Sequence, residues 1–150
     1  YCVIRSAIPK RIIEIGSGFS TRAAAQAVLR NRGDDPSYAC DFTAIEPYPG
    51  VVLRGGIPGL TTLLESRVED VPAARFEALE ENDILFIDSS HVVRIGGDVV
   101  FEYLTLLPRL KPGVLVHIHD IYLPDDYPAR AFNERYVVVG RYCLEGILYL

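Results

Sequence analysis

Methionine and tryptophan are absent from this 150-residue chain, and cysteine and histidine occur only three times each. Cys2, Cys40 and Cys143 are too few, too scattered and odd in number for a disulfide framework or a paired-cysteine metal or redox site. A reducing, cytoplasmic setting is the corresponding expectation. No apolar run approaches the roughly 20 residues that cross a bilayer. The opening residues YCVIRSAIPKR also lack the charged-then-apolar order of a secretory signal. Basic runs are missing too: 15 Lys plus Arg stand against 20 Asp plus Glu, for a net charge of −5. Both a membrane and a nucleic-acid backbone are therefore disfavoured as partners. With no initiator methionine and Tyr1 at its start, the chain reads as a piece of a longer protein, truncated at its termini. What remains is a globular composition, 49% apolar and 23% charged, at a length that supports one core and so one domain over 1–150.

Short apolar runs alternate with helix-like stretches, the rhythm of βαβ units around a mostly parallel sheet in an α/β three-layer, Rossmann-like fold. Strands are predicted at 11–15, 41–46, 61–65, 83–88 and 113–119. ILFI and VLVHI, continuously apolar and rich in branched residues, are predicted to be central strands buried on both faces. A helix is predicted over 20–31, N-capped by Ser20 and stopping before Gly33. A second is predicted over 95–107, with Val99, Val100, Tyr103, Leu104 and Leu107 on its apolar face. Shorter helices fall at 73–80 and 50–56. Near the end, VVVG reads as a strand and RYCLEGILYL is compatible with a helix.

EIGSGFS, residues 14–20, joins the first strand to the first long helix. Its two glycines permit a sharp turn and let a ligand lie against bare main chain beside a helix N-terminus. The dinucleotide fingerprint wants a third glycine where Thr21 stands, and that glycine is missing. Glu14 offers a carboxylate to an ammonium group, which a pyrophosphate does not carry; this favours a cofactor bearing an amino acid. Glu46, at the end of the second strand, is placed to take both hydroxyls of a ribose or to be an exposed strand-end acid before Pro47.

Asp88, Ser89, Ser90 and His91 follow ILFI, while His117, His119 and Asp120 finish VLVHIHD. Carboxyl ends of neighbouring strands in an open parallel sheet border the ligand crevice. Asp88 and Asp120 are therefore candidates to share a divalent ion such as Mg2+ through hard oxygen atoms. Asp88 can alternatively orient His91 as a general base on a substrate hydroxyl, a role suited to an imidazole titrating near about 6.5. The H-x-H spacing puts His117 and His119 on one strand face. It raises a rival reading as a metal-dependent hydrolase using His91, His119 and Asp120, whereas His117 reads more simply as a satisfied core histidine.

Taken in order, EIGSGFS, AIEPYP, VEDVP and ILFIDSSH followed by GVLVHIHD resemble class I S-adenosylmethionine-dependent methyltransferases, most closely the small-molecule enzymes of the type-24 group. The resemblance spans about residues 11–125. It implies that Glu14, Gly16, Ser17 and Gly18, with Ser20 beside them, line the methionine and ribose part of S-adenosylmethionine. It further implies that Glu46 holds the ribose and that Glu69 and Asp70 lie near the adenine. His91 and Asp88 would then serve methyl transfer to an oxygen, or less readily a nitrogen, of a small molecule. Catechol-type relatives carry Asp-Asn after the fifth strand, where this chain has Asp120-Ile121; Asp125 and Asp126 are candidate substitutes. Tyr48, Tyr122 and Tyr127 are candidates for the acceptor rim. A non-catalytic nucleotide-binding domain is a further alternative, and an exposed sheet edge would invite pairing into a homo-oligomer.

Overall fold

A computed structural model describes residues 1–121. The predicted elements at 130–150, and Tyr122, Asp125, Asp126 and Tyr127, lie outside the described residues. Five strands, β1 (Arg11–Ile15), β2 (Asp41–Ile45), β3 (Thr62–Leu64), β4 (Ile84–Ile87) and β5 (Leu115–Ile118), form one sheet. All pairs are parallel, in the order β3-β2-β1-β4-β5. The predicted α/β architecture is therefore present, with each strand within two residues of its expected bounds. One expectation needs correcting. β4 is central, but its partner at the centre is β1, and β5 sits at the edge of the five described strands.

Both faces of the sheet are covered, which makes the three layers. On one face Ile12, Phe42 and Ile84 pack with Ile4 of α1 (Cys2–Ala7) and with Ala25, Ala27 and Val28 of α2 (Phe19–Asp34). On the other, Ile13, Ile15, Ile45, Leu85 and Ile87 pack with Val68, Val71, Phe76, Leu79 and Leu106. α3 (Val51–Arg54) and α4 (Ala74–Glu77) are single turns, α3 cut short before Gly55 and Gly56. Across the sheet's amino end, the buried Asp83 carboxylate accepts from the backbone N–H groups of Arg11 (2.8 Å), Lys10 (3.1 Å) and Glu80 (2.9 Å), tying β1 to β4. Among the described residues no helix is long and apolar enough to cross a membrane.

Both long helices depart from expectation in instructive ways. α2 begins at Phe19 with Gly18 as its N-cap, so Ser20 lies inside the first turn and is not the cap. The Gly18 N–H donates to the buried Thr21 hydroxyl at 2.9 Å, closing that end from within the helix. α2 also runs through Gly33, because an exposed helical glycine costs only about 1 kcal/mol and Asp34 is held by Arg5 (2.6 Å) and Arg30 (3.3 Å). The second helical stretch starts at Asp98, not Ile95, as α5 (Asp98–Phe101); it continues as a π-helical turn over Glu102–Leu106 and a 3-10 turn over Leu107–Arg109. Its buried face is Val99, Glu102, Tyr103 and Leu106, and Leu104 points to solvent. The expected face is rotated because a carboxylate, Glu102, faces inward.

His117 also departs from expectation: it is exposed, because β5 is an edge among the described strands, and its ring meets Phe86 edge-on at 4.8 Å.

The sheet's carboxyl end continues one residue beyond each strand. Gly16 N donates to Ile45 O (2.9 Å), Asp88 N to Ile15 O (2.8 Å) and His119 N to Ile87 O (2.9 Å). Gly16 has φ +88°, and a Cβ there would stand 2.0 Å from the Asp88 carbonyl oxygen. Only glycine lets these two chains pass. Gly16→Ala is expected to destabilise the protein by about 3 kcal/mol or more, adding left-handed strain to a backbone clash. Gly18→Ala, whose Cβ meets nothing within 4 Å, is expected to stay within about 1 kcal/mol. Denaturant midpoints of the two variants provide the check, and equal midpoints would refute this reading of the turn.

Candidate active site

Ile15 pairs with Ile45 on one side and with Ile87 on the other, and Ile87 pairs with Ile118. Gly16, Glu46, Asp88 and His119 are the next residues along their strands, so register alone gathers them on one rung at the sheet's carboxyl end. There Gly16, Glu46 and Asp88 border a cleft of about 510 Å3, within the usual range for small-molecule sites, with His119 beside Asp88 on the same rung. Its lining includes Gly16, Glu46, Tyr48, Glu69, Asp88 and Ser89, with Arg67 and Arg94 as its cations.

The expected cofactor residues divide among three hollows. Gly16, Glu46 and Glu69 line the main cleft; Glu69 is ion-paired with Arg67. Ser17 and Gly18 border an adjoining shallow depression with Glu46 and Tyr48. There the Ser17 hydroxyl donates to Glu46 Oε2 at 3.4 Å, while Glu46 Oε1 accepts from the Tyr48 N–H at 2.9 Å. Glu14 and Ser20 instead line a separate, mostly apolar cavity of about 290 Å3. Asp70 is exposed and is not among the residues lining the main cleft.

Glu14 is the least ordinary group in the set. It shares a rung with Phe86 and, through Phe86, with His117, and all three line the smaller cavity. Only 1% of its surface is exposed, and neither carboxylate oxygen makes a hydrogen bond of regular geometry, although the Ser20 and Thr21 hydroxyls stand close enough to act on it. Burial pushes its pKa up to about 7; the Ser20 and Thr21 hydroxyls pull it down, and the charge of Asp88 adds to the rise. A buried acid of this kind is costly unless a ligand cation pairs with it.

Asp88 is the hub of the cleft's outer edge. His91 Nε2 lies 3.4 Å from its Oδ1 and 3.9 Å from Asp120 Oδ2. His119 Nδ1 lies 3.3 Å from Asp88 Oδ1 and 3.2 Å from Asp120 Oδ1. One ligand atom each from Asp88, His91 and His119 falls within 4.8 Å of the others, compact enough to hold a metal ion. His91 (φ +57°) and Asp120 (φ +56°) both adopt the left-handed conformation that side-chain-bearing residues avoid. Such strain persists where surrounding structure imposes it, commonly at functional sites.

Sequence reasoning missed Glu102. It is fully buried, its Oε2 accepts from the Ser89 hydroxyl at 2.9 Å, and its Oε1 has no partner. Burial pushes its pKa up to about 8, against the pull of Ser89, with Asp98 and Glu69 adding to the rise. Nothing in the local pattern marks it, since a glutamate on an amphipathic stretch ordinarily belongs to the wet face.

Comparison with known proteins gives the fold and site a family. An uncharacterized protein from Archaeoglobus fulgidus is 41% identical over 78 residues, a stretch covering 51% of this chain and 34% of that relative. The match thus spans only about a third of that relative's length. No solved structure matches the chain. The family model described as a methyltransferase domain, of the type-24 group, matches residues 13–121, a span reaching from β1 through the histidine-aspartate end of β5. The chain belongs to this methyltransferase-domain family, a group of class I S-adenosylmethionine-dependent methyltransferases.

Proposed function

We propose that this domain binds S-adenosylmethionine across the glycine loop and transfers its methyl group to a hydroxyl oxygen of a small molecule. The observation that carries the reading is Glu14: a buried carboxylate, with no hydrogen bond of regular geometry on either oxygen, on the strand that leads into the loop. The amino acid end of the cofactor supplies the ammonium that such a group requires, whereas a dinucleotide does not. On the other side of Gly16, Glu46 is the acid available to the ribose hydroxyls.

Methyl transfer is an in-line displacement at carbon. Its main demand is a nucleophile held close, collinear and relieved of its proton. His91, beside Asp88 at the cleft's edge, is the residue proposed to take that proton, with Asp88 orienting the ring. In a second, exclusive arrangement, the Asp88, His91 and His119 donors would hold a divalent ion, with Asp120 adjoining them, and the ion would then take the place of His91 as the group that eases deprotonation. Two imidazoles with one carboxylate suit a transition metal better than the Mg2+ expected from an all-oxygen pair. Such an ion would supply Lewis acidity, lowering the cost of deprotonating the acceptor. A reducing cytoplasm is the proposed setting, consistent with the buried free thiol of Cys40.

Two outcomes test the reading. Because Glu14 must ionise to pair with the ligand ammonium, S-adenosylhomocysteine is expected to bind about tenfold more tightly at pH 8 than at pH 6. Glu14→Gln should flatten that dependence. Without ligand, the folded acid holds its proton up to about pH 7 whereas the unfolded one releases it near 4.5, so wild-type stability falls as pH rises between these values. Glu14→Gln is therefore expected to gain about 2.5 kcal/mol over wild type between pH 5 and pH 8. Calorimetric titration and denaturation at both pH values supply the data; affinity independent of pH in wild type contradicts the role given to Glu14.

For the chemistry, His91→Ala in the full-length protein is expected to lower turnover by about a hundredfold or more while S-adenosylhomocysteine affinity changes less than about threefold. Unchanged turnover would remove His91 from the proton-transfer role.

A further inference from the structure

His91, the residue given the proton-accepting role above, stands in the left-handed conformation at φ +57°. A histidine does not hold that backbone without cost, because its Cβ crowds the following carbonyl. Its ring contacts, Asp88 at 3.4 Å and Asp120 at 3.9 Å, act at the far end of the side chain and do not by themselves fix φ. The constraint lies in its two neighbours.

Ser90 N donates to Asp98 Oδ2 at 2.9 Å and Ser90 Oγ donates to Asp98 Oδ1 at 2.7 Å, so one carboxylate grips one residue with both of its oxygens. Val92 N donates in turn to Ser90 Oγ at 3.3 Å. With its proton committed to Asp98, the hydroxyl has only lone pairs left to offer, and a lone pair is what the Val92 N–H requires. The residues before and after His91 are thereby tied together across it. Asp98 is the first residue of α5, which Val99 anchors in the interior, so the grip belongs to a packed element. Two more hydrogen bonds of the loop, Arg67 to Gly96 O and Gly97 N to Arg94 O, lie outside this turn.

We propose that Asp98 is a positioning residue for the proton-transfer step: by clamping Ser90 it imposes the left-handed turn that carries the His91 ring to Asp88. Released from the clamp, His91 relaxes to a right-handed or extended backbone, its Cα–Cβ bond swings, and the ring leaves the edge of the cleft. Asp98→Asn should preserve the device, since the amide oxygen accepts from Ser90 N and the amide nitrogen donates to Ser90 Oγ. Asp98→Ala should abolish it.

This inference rests on the role given to His91, and its test needs no acceptor molecule. Nuclear magnetic resonance of the full-length protein reads the turn directly, because a left-handed residue brings its own amide and α hydrogens close and gives a strong Overhauser effect between them. With only three histidines in the chain, the ring signals are assignable, and the His91 and His119 rings, centroids 6.5 Å apart, should show a mutual effect. In Asp98→Ala the amide-to-α effect at His91 is expected to weaken about threefold and the ring-to-ring effect to vanish. S-adenosylhomocysteine affinity should change by less than about threefold, with a cooperative melt as the folding control. Wild type and Asp98→Asn should keep both signals. A merely structural aspartate would lower the melting temperature and leave the His91 signals intact in the folded protein. If Asp98→Ala does not fold, Ser90→Ala decides, because it removes only the hydroxyl through which the clamp reaches Val92. Unaltered His91 signals in the folded variant, or their absence from wild type, overturn the inference. So does a loss of S-adenosylhomocysteine affinity with the signals intact, which makes Asp98 a ligand contact. Unchanged turnover in His91→Ala sinks the proton-transfer reading instead, and leaves the account of the turn standing.

Discussion

The carboxyl ends of β1 and β4 pass so closely that the Cα of Gly16 faces the carbonyl of Asp88 with no room for a side chain. That contact is a constraint on the whole functional end of the molecule. It fixes the turn by which the chain enters α2, and it holds Asp88 beside the turn. The ladder bonds Gly16 N to Ile45 O and Asp88 N to Ile15 O then lock both residues into the register of the sheet. Asp83 performs the matching task at the opposite end of the same two strands, with three backbone N–H groups converging on one buried carboxylate. The strands are thus pinned at both ends, and Gly16, Glu46 and Asp88, each one residue beyond its strand, inherit the rigidity of the sheet, which positions side chains more accurately than a loop can.

Burying Glu14 and Glu102 runs against stability. Each is a carboxylate removed from water without a cation, and each responds by holding its proton to a higher pH than usual. An apolar residue of similar size in either place would pack without that penalty. Local choices that conflict with folding are expected mainly where a function requires them. The two acids lie on opposite sides of the sheet, Glu14 toward α1 and α2 and Glu102 among the elements packed on the other face. Glu14 precedes the Gly16 turn by two residues, and Glu102 accepts from Ser89, the neighbour of Asp88.

Much of this organisation was legible in the sequence, and the boundary of legibility has a physical basis. RIIEI, DFTAI and ILFI announce strands because strands buried on both faces are continuously apolar, a local property. EIGSG announces a turn because glycine alone tolerates the required backbone. Strand order is not local, and so VLVHI, as apolar as ILFI, was expected at the centre and stands at the edge of the described sheet. His117 was assigned to the core on the same ground and is exposed for the same reason. Glu102 was illegible because its burial depends on a facing serine 13 residues away, which no periodicity encodes. The apparent unity of the cofactor set also dissolved in three dimensions. Glu14 lies within β1, whereas Gly16 lies beyond the strand's end in a left-handed turn (φ +88°), so the two line different hollows.

That division locates the chemistry. A ligand with an ammonium at Glu14 and a ribose at Glu46 must cross from one hollow to the other, and the contact between Gly16 and Asp88 lies on that route. Asp88 lines the main cleft and also acts electrostatically on Glu14. In the proposed cofactor the sulfonium joins the amino acid to the sugar, so its methyl group falls at this crossing. The two imidazoles gathered there, His91 and His119, both approach Asp88 and Asp120 from the cleft's outer edge. On the proposed reading, the acceptor would meet this base from the side of β5, just beyond whose end His119 and Asp120 lie. The glycine that lets two strands touch is, on this view, also what sets the position of the transferred carbon relative to the base.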